Sequence, residues 1–108
     1  MTHNELIELS KAAAKVAGVD PLKWTDGEGF DPGRSIWLHE DSARCFELMC
    51  RYIMDIESGE VESGGYVGSY AIGRGNLAVE LIDTHNNDRE QATRVAILKA
   101  IVAIGEQK

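Results

Sequence analysis

Three groups of residues in this chain have types that chemistry uses. His39, Glu40 and Asp41 stand in a row and offer an imidazole and two carboxylates, the parts of an acid-base or metal site. Consecutive residues entering a helix point in different directions and cannot converge on one atom. A catalytic base also needs an orienting partner and a nucleophile within reach. N-capping by Asp41 or Ser42 explains the run better. Asp83, His85, Asn87 and Asp88 place oxygen and nitrogen ligands close together, but a hard-cation loop wants more carboxylates and a central glycine, so a helix-entry loop is the default reading. Gly73-Arg74-Gly75-Asn76 lacks the lysine and following helix of a phosphate loop, and the third glycine of a dinucleotide fingerprint; it reads as a turn. No catalytic residue, metal or cofactor is expected.

Cys45 and Cys50 are five apart in an expected helix, about 140° around its axis, which is too far to bridge. Both fall on or beside an apolar arc and read as small buried hydrophobes.

Binding is the other chemistry these residue types allow. The 108 residues carry a formal charge of −7, which would repel a phosphate backbone and attract basic partners, so direct nucleic-acid binding is disfavoured. Two acidic clusters stand out: Asp20, Asp26, Glu28 and Asp31 in a first long loop, and Asp55, Glu57, Glu60 and Glu62 after the second helix. As a partner surface for a basic groove, the residues to choose are Asp26, Glu28, Asp31, Glu57, Glu60 and Glu62; the simpler alternative is a solvated, solubilising surface. Trp24, Phe30 and Trp37 read as aromatic anchors pinning an irregular segment. In an alternative reading, Trp24 and Trp37 join Gly64, Gly65 and Tyr66 around a small-ligand pocket, with the glycines allowing close backbone approach.

These residues must be positioned by elements whose signals are clear. Thr2 and Glu5 form a capping box before an apolar series from Leu6 to Ala17, with Gly18 as the stop. Asp20-Pro21 and the glycine-rich stretch 26–33 make a long loop, with 35–38 a candidate short strand. Residues 40–57 read as helix two, with Ala43, Phe46, Met49, Cys50 and Ile53 on one stripe, widened by Leu48, Tyr52 and Ile56, and Arg44, Glu47, Arg51 and Asp55 as a solvated row opposite. Period-two alternation on both sides of residues 73–76 predicts a β-hairpin with arms 66–72 and 77–82. A hairpin alone is marginal in water, so helices or a third strand must support it.

Helix three spans 88–105 and starts with a second capping box, Asp88 with Gln91. Apolar residues surround almost its whole circumference, leaving Lys99 to face water, so it must be covered on more than one side. The arc of Ile97, Ala100 and Ile104 is the part expected to exceed what the chain can bury, which raises self-association. The expected architecture is a single α+β domain over residues 1–108. It is a helix-sheet-helix sandwich of three helices with an antiparallel hairpin and room for a third short strand. No apolar run is long enough to cross a bilayer and the N-terminus lacks the basic start of a secretory signal, so the chain reads as cytosolic.

The succession Phe30-Asp31-Pro32, the helix over 41–52, Val67-Gly68-Ser69-Tyr70, and above all Ala92-Thr93-Arg94-Val95-Ala96-Ile97 closing with Ala103-Ile104-Gly105 resembles the small phage ABA-sandwich domain family. The resemblance covers roughly residues 5–105 and brings no catalytic residues. It implies a helix-sheet-helix accessory protein of phages and prophages, acting in the cytoplasm of the infected or lysogenic bacterium. The function expected from it is non-enzymatic inhibition of a host target, most of all a defence component such as a CRISPR effector subunit, through the acidic loops. Two alternatives stand beside it: a nucleotide sponge or sensor, and a structural or virion-associated oligomer such as a homodimer.

Overall fold

The structure is a computed structural model and describes residues 2–25, 33–52, 54–61, 64–71, 75–81, 85 and 88–106. It is α+β, with three helices and the expected hairpin. Helix α1 (His3–Ala17) begins on the capping box: the Glu5 N–H donates to Thr2 Oγ1 at 3.2 Å and the Thr2 N–H to Glu5 Oε1 at 3.1 Å. It stops at Gly18, whose φ of 71° is the left-handed turn that glycine adopts without strain. Its buried residues, Leu6, Ser10, Ala13 and Ala14, follow helical spacing along one stripe.

Strands β1 (Leu22–Thr25) and β2 (Arg34–Trp37) pair antiparallel as a ribbon, with Leu22 opposite Trp37 and Trp24 opposite Ser35. The expected strand at 35–38 is therefore present one residue early. Its partner had no clear signal, because a four-residue strand beside turn formers gives no period to read. A 3-10 turn, Leu38–Glu40, leads into α2 (Ser42–Arg51), and Asp41 caps that helix by accepting from the Arg44 N–H at 3.1 Å.

Helix two does not continue to 57. It ends at Arg51, and Met54–Val61 is strand β3, paired along its whole length with β4 (Gly64–Ala71), from Met54 opposite Ala71 to Val61 opposite Gly64. Met54 and Ile56 alternate with Asp55 and Glu57, a strand period, and Ser58-Gly59 resists a helix. β4 pairs in turn with β5 (Gly75–Leu81), with a register shift between Ser69 and Tyr70, so the sheet order is β3-β4-β5. The supporting third strand is thus as long as the hairpin's own arms.

Helix α3 (Arg89–Glu106) is the middle layer: it packs on β4 and β5 along one side and receives α1 and α2 on others. Val95, Ala96, Leu98, Ala100 and Ile101 are wholly buried, and Ile97 and Ile104 are 3% exposed. This corrects the expectation for the arc of Ile97, Ala100 and Ile104, which the chain covers by itself. Close approach is possible because small residues line the contacts. Ala13 and Ala14 of α1 share a core cluster with Ala100, Ile101 and Ile104, while Ala92 and Ala96 meet Ile56 of β3. At the end of α3, a Cβ built on Gly105 would stand 2.6 Å from Val16 Cγ2, so glycine is what lets α1 pass. Among the described residues, no helix is long and apolar enough to cross a membrane.

Candidate functional site

The short α2 decides what the surface offers. Its buried residues are Cys45 and Leu48, so the buried face is rotated from the expected stripe, and Phe46 on that stripe is 61% exposed. Cys50 is exposed as well, against expectation, and both cysteines are free. The rotation has a cause in the supposedly solvated row. Arg44 turns inward, where its Nε donates to Asp41 Oδ2 at 2.9 Å, Nη1 to the Asp20 carbonyl at 2.6 Å and Nη2 to the Ile36 carbonyl at 3.2 Å. Arg51 Nη1 reaches the Ala17 carbonyl at 2.7 Å. Both arginines thus satisfy carbonyls where α1 and the ribbon end, and the helix rolls to let them. Burial opposes ionisation of Asp41, but the hydrogen bonds and charge of Arg44 prevail and hold its carboxyl below the usual range.

Rolled this way, α2 forms a groove with α3 of about 310 Å³, lined by Ser42, Cys45, Phe46, Met49, Glu90, Thr93, Arg94 and Ile97. Its floor is apolar and Glu90 stands on its wall, with exposed Glu47 the next residue along α2 from Phe46. Cys45 at its base is no nucleophile. Burial pushes the thiol up to about 12, and Sγ contacts the Leu38 carbonyl at 3.3 Å.

A second cluster lies on the far side of Arg94. Ser10, wholly buried in α1, accepts from the His39 N–H at 3.0 Å, and its Oγ is also 3.0 Å from His39 Nδ1. The Arg94 Nε donates to the His39 carbonyl at 2.8 Å and its Nη1 to Ser42 Oγ at 3.0 Å. His39 is 6% exposed, and burial is the main reason it holds its proton more weakly than an ordinary histidine. Glu40, its neighbour, accepts instead from the Trp37 N–H at 3.2 Å. The row His39, Glu40 and Asp41 therefore diverges into three separate structural jobs, as its spacing predicts. The candidate ligands around residue 85 also serve the helix entry. Asp88 Oδ1 accepts from the Gln91 N–H at 3.0 Å, and Gln91 Nε2 lies 3.1 Å from Nδ1 of buried His85 rather than closing the capping box; Asp83 and Asn87 lie outside the described residues.

The acidic candidates divide. Asp26, Glu28, Asp31 and Glu62 lie outside the described residues, as does Phe30. Glu57 and Glu60 sit in β3, not in a loop, with Glu57 opposite Gly68 and Glu60 opposite Gly65. Of the aromatic anchors, Trp37 is half-buried with Lys11 Nζ 6.0 Å from its ring centre, whereas Trp24 is 66% exposed, against its reading as an anchor. The alternative pocket residues are split between two sheets, Trp24 and Trp37 in the ribbon and Gly64, Gly65 and Tyr66 at the start of β4.

Sequence reasoning missed the α2–α3 groove and the Ser10–His39–Arg94 cluster. The first depends on a helix rotation of one position and the second on contacts 29 and 55 residues apart in sequence. No family profile, characterised protein or solved structure matches the chain.

Proposed function

We propose that the chain is a non-enzymatic binding protein that inhibits a host target, and that it grips a basic, partly apolar partner surface through the α2–α3 groove. The observation that carries this reading is Phe46, a large apolar side chain left 61% exposed beside an apolar groove. Buried aromatic anchors set in a polar rim are the usual energetic centre of a protein interface. The acidic groups near it, Glu47 and Glu90, and the overall charge of −7 favour a partner that brings lysine or arginine around an apolar tip. Asp26, Glu28, Asp31, Glu57, Glu60 and Glu62 then act by steering, through their summed field.

Catalysis finds less support, since the hydroxyl of Ser10 is wholly buried between two bonds to His39 and the Cys45 thiol stays protonated. The resemblance to phage ABA-sandwich proteins makes the partner class a bacterial defence component, such as a CRISPR effector subunit, in the cytoplasm of the host. The test is binding of a purified effector panel by the wild type and by Phe46→Ser, at low and high salt. Expected is one salt-sensitive partner whose affinity drops about tenfold or more in the variant, as for an interface anchor. Equal affinity of both proteins for every partner would overturn the groove as the contact. So would a wild-type dimer that Phe46→Ser dissociates, because the groove would then serve self-association.

A further inference from the structure

On the other side of Arg94 from the groove is a polar cavity of about 400 Å³, bounded by His3, Leu6, Arg34, Ser35, Ile36, His39, Glu40, Gln91 and Arg94. In a protein of charge −7 this lining is unusual, because among the described residues it gathers two arginines and two histidines with one carboxylate, Glu40. That carboxylate is already turned to the Trp37 N–H.

The hydrogen bonds assign the proton on His39. The wholly buried Ser10 hydroxyl accepts from the His39 N–H, and among the described residues its own hydrogen has one acceptor, Nδ1 of the same residue. Nδ1 is then the acceptor, and the neutral ring carries its hydrogen on Nε2. Burial favours this neutral form. Nε2, at the edge of the ring away from Ser10, has no hydrogen-bond partner among the described residues, although the side chain is more than nine-tenths buried. A buried donor without a partner is costly, and in a cavity it marks a place for an acceptor. Arg94, which lines the same cavity, is held by a bond from Nε to the His39 carbonyl and one from Nη1 to Ser42 Oγ, which leave the guanidinium fixed rather than searching. The ring of His3 stands edge-on to that of His39, centres 6.3 Å apart.

Donors and positive charge on several sides suit a ligand that only accepts. We propose that this cavity binds a phosphate-type oxyanion, with His39 Nε2–H and the Arg94 guanidinium as fixed donors and His3 and Arg34 completing the lining. The site is independent of the α2–α3 groove, and neither proposal needs the other. The volume exceeds one phosphate group, so a phosphate monoester with a small organic substituent also fits the space.

The probe is inorganic phosphate, titrated into the protein at constant ionic strength with chloride as the balancing salt. Readouts are the imidazole resonances of His3, His39 and His85 and the heat of binding. Expected is a saturable shift at His39 Nε2 and at His3, with His85 unmoved. His3→Ala, which removes an exposed donor, should weaken phosphate about tenfold, the loss of one charge-assisted bond. Glu40→Gln, which removes the opposing charge, should tighten it. A phenyl phosphate arm separates a bare-anion site from a monoester site by whichever binds more tightly. No saturable shift, the same shift with chloride alone, or His3→Ala and Glu40→Gln moving affinity in the same direction would overturn the proposal.

Discussion

Helices α2 and α3 make opposite bargains with water. By sequence α3 is the anomaly, apolar all round, and α2 is an ordinary amphipathic helix with a charged row. In the fold the anomaly is resolved within the chain: a sheet on one side and two helices on others bury α3, down to Ile97 and Ile104 at 3% exposure. The ordinary helix is the one that keeps a phenylalanine in solvent. Apolar excess in a sequence therefore locates the core, while the surface that can recognise a partner comes from where polar groups are needed elsewhere. Arg44 turns inward on α2 and Arg51 reaches across the surface, together satisfying three described carbonyls, and Phe46 is turned out as the result.

The contrast is sharpest at single residues. Leu98→Ala in α3 should cost about 2 to 5 kcal/mol, because its site is enclosed on all sides and can collapse only partly. Phe46→Ser in α2, a change of larger volume, should stay within about 0.5 kcal/mol in the same denaturant titration. Comparable losses would mean that Phe46 is a core residue and that the two helices do not differ as described.

A smaller effect tests the cause of the rotation. Arg44→Met keeps the apolar stem but removes three hydrogen bonds and the partner of Asp41, and should lower stability by about 2 kcal/mol. If the solvated-row reading were right, the unfolding midpoint would not move. The smallest effect concerns pH. Burial, with repulsion from His3 and Arg94, outweighs the attraction of Glu40, so His39 holds its proton less well folded than unfolded. Below the ordinary histidine range, near 6.5, the unfolded chain takes up the extra proton first. Stability is therefore full above that range and declines as pH falls through it toward the folded pKa. Melting temperature should drop on going from about pH 7 to about pH 5, and His39→Gln should flatten part of that slope. A slope unchanged in His39→Gln would assign it to other groups.

What the sequence discloses follows the range of each interaction. The caps at Thr2, Gly18, Asp41 and Asp88 are contacts within a few residues, and each is present, although the Asp88 N–H goes to the His85 carbonyl rather than to Gln91. The hairpin is legible too, since alternation and turn residues are local. Strand β3 was hidden because Met54 and Ile56 continue a helical stripe as readily as they begin an alternating one. Pairing with β4, which tips the choice, is a property of the other strand. The face of α2 was misjudged for the same reason, since the carbonyls that draw Arg44 inward belong to Asp20 and Ile36. Ser10 gives no sign in its own helix of a histidine 29 residues away.

That last contact has a kinetic side. Ser10, His39 and Arg94 tie α1, the 3-10 turn and α3 into one knot, across intervals of 29 and 55 residues. Loops of that length close slowly and repay their entropy only when all three parts arrive. Neither α1 nor α3 gains its cover alone, so partial assemblies have little to hold them. The amides of both helices should then exchange with solvent through a shared opening, as one cooperative unit, while the ribbon and the free rim of α2 breathe on their own.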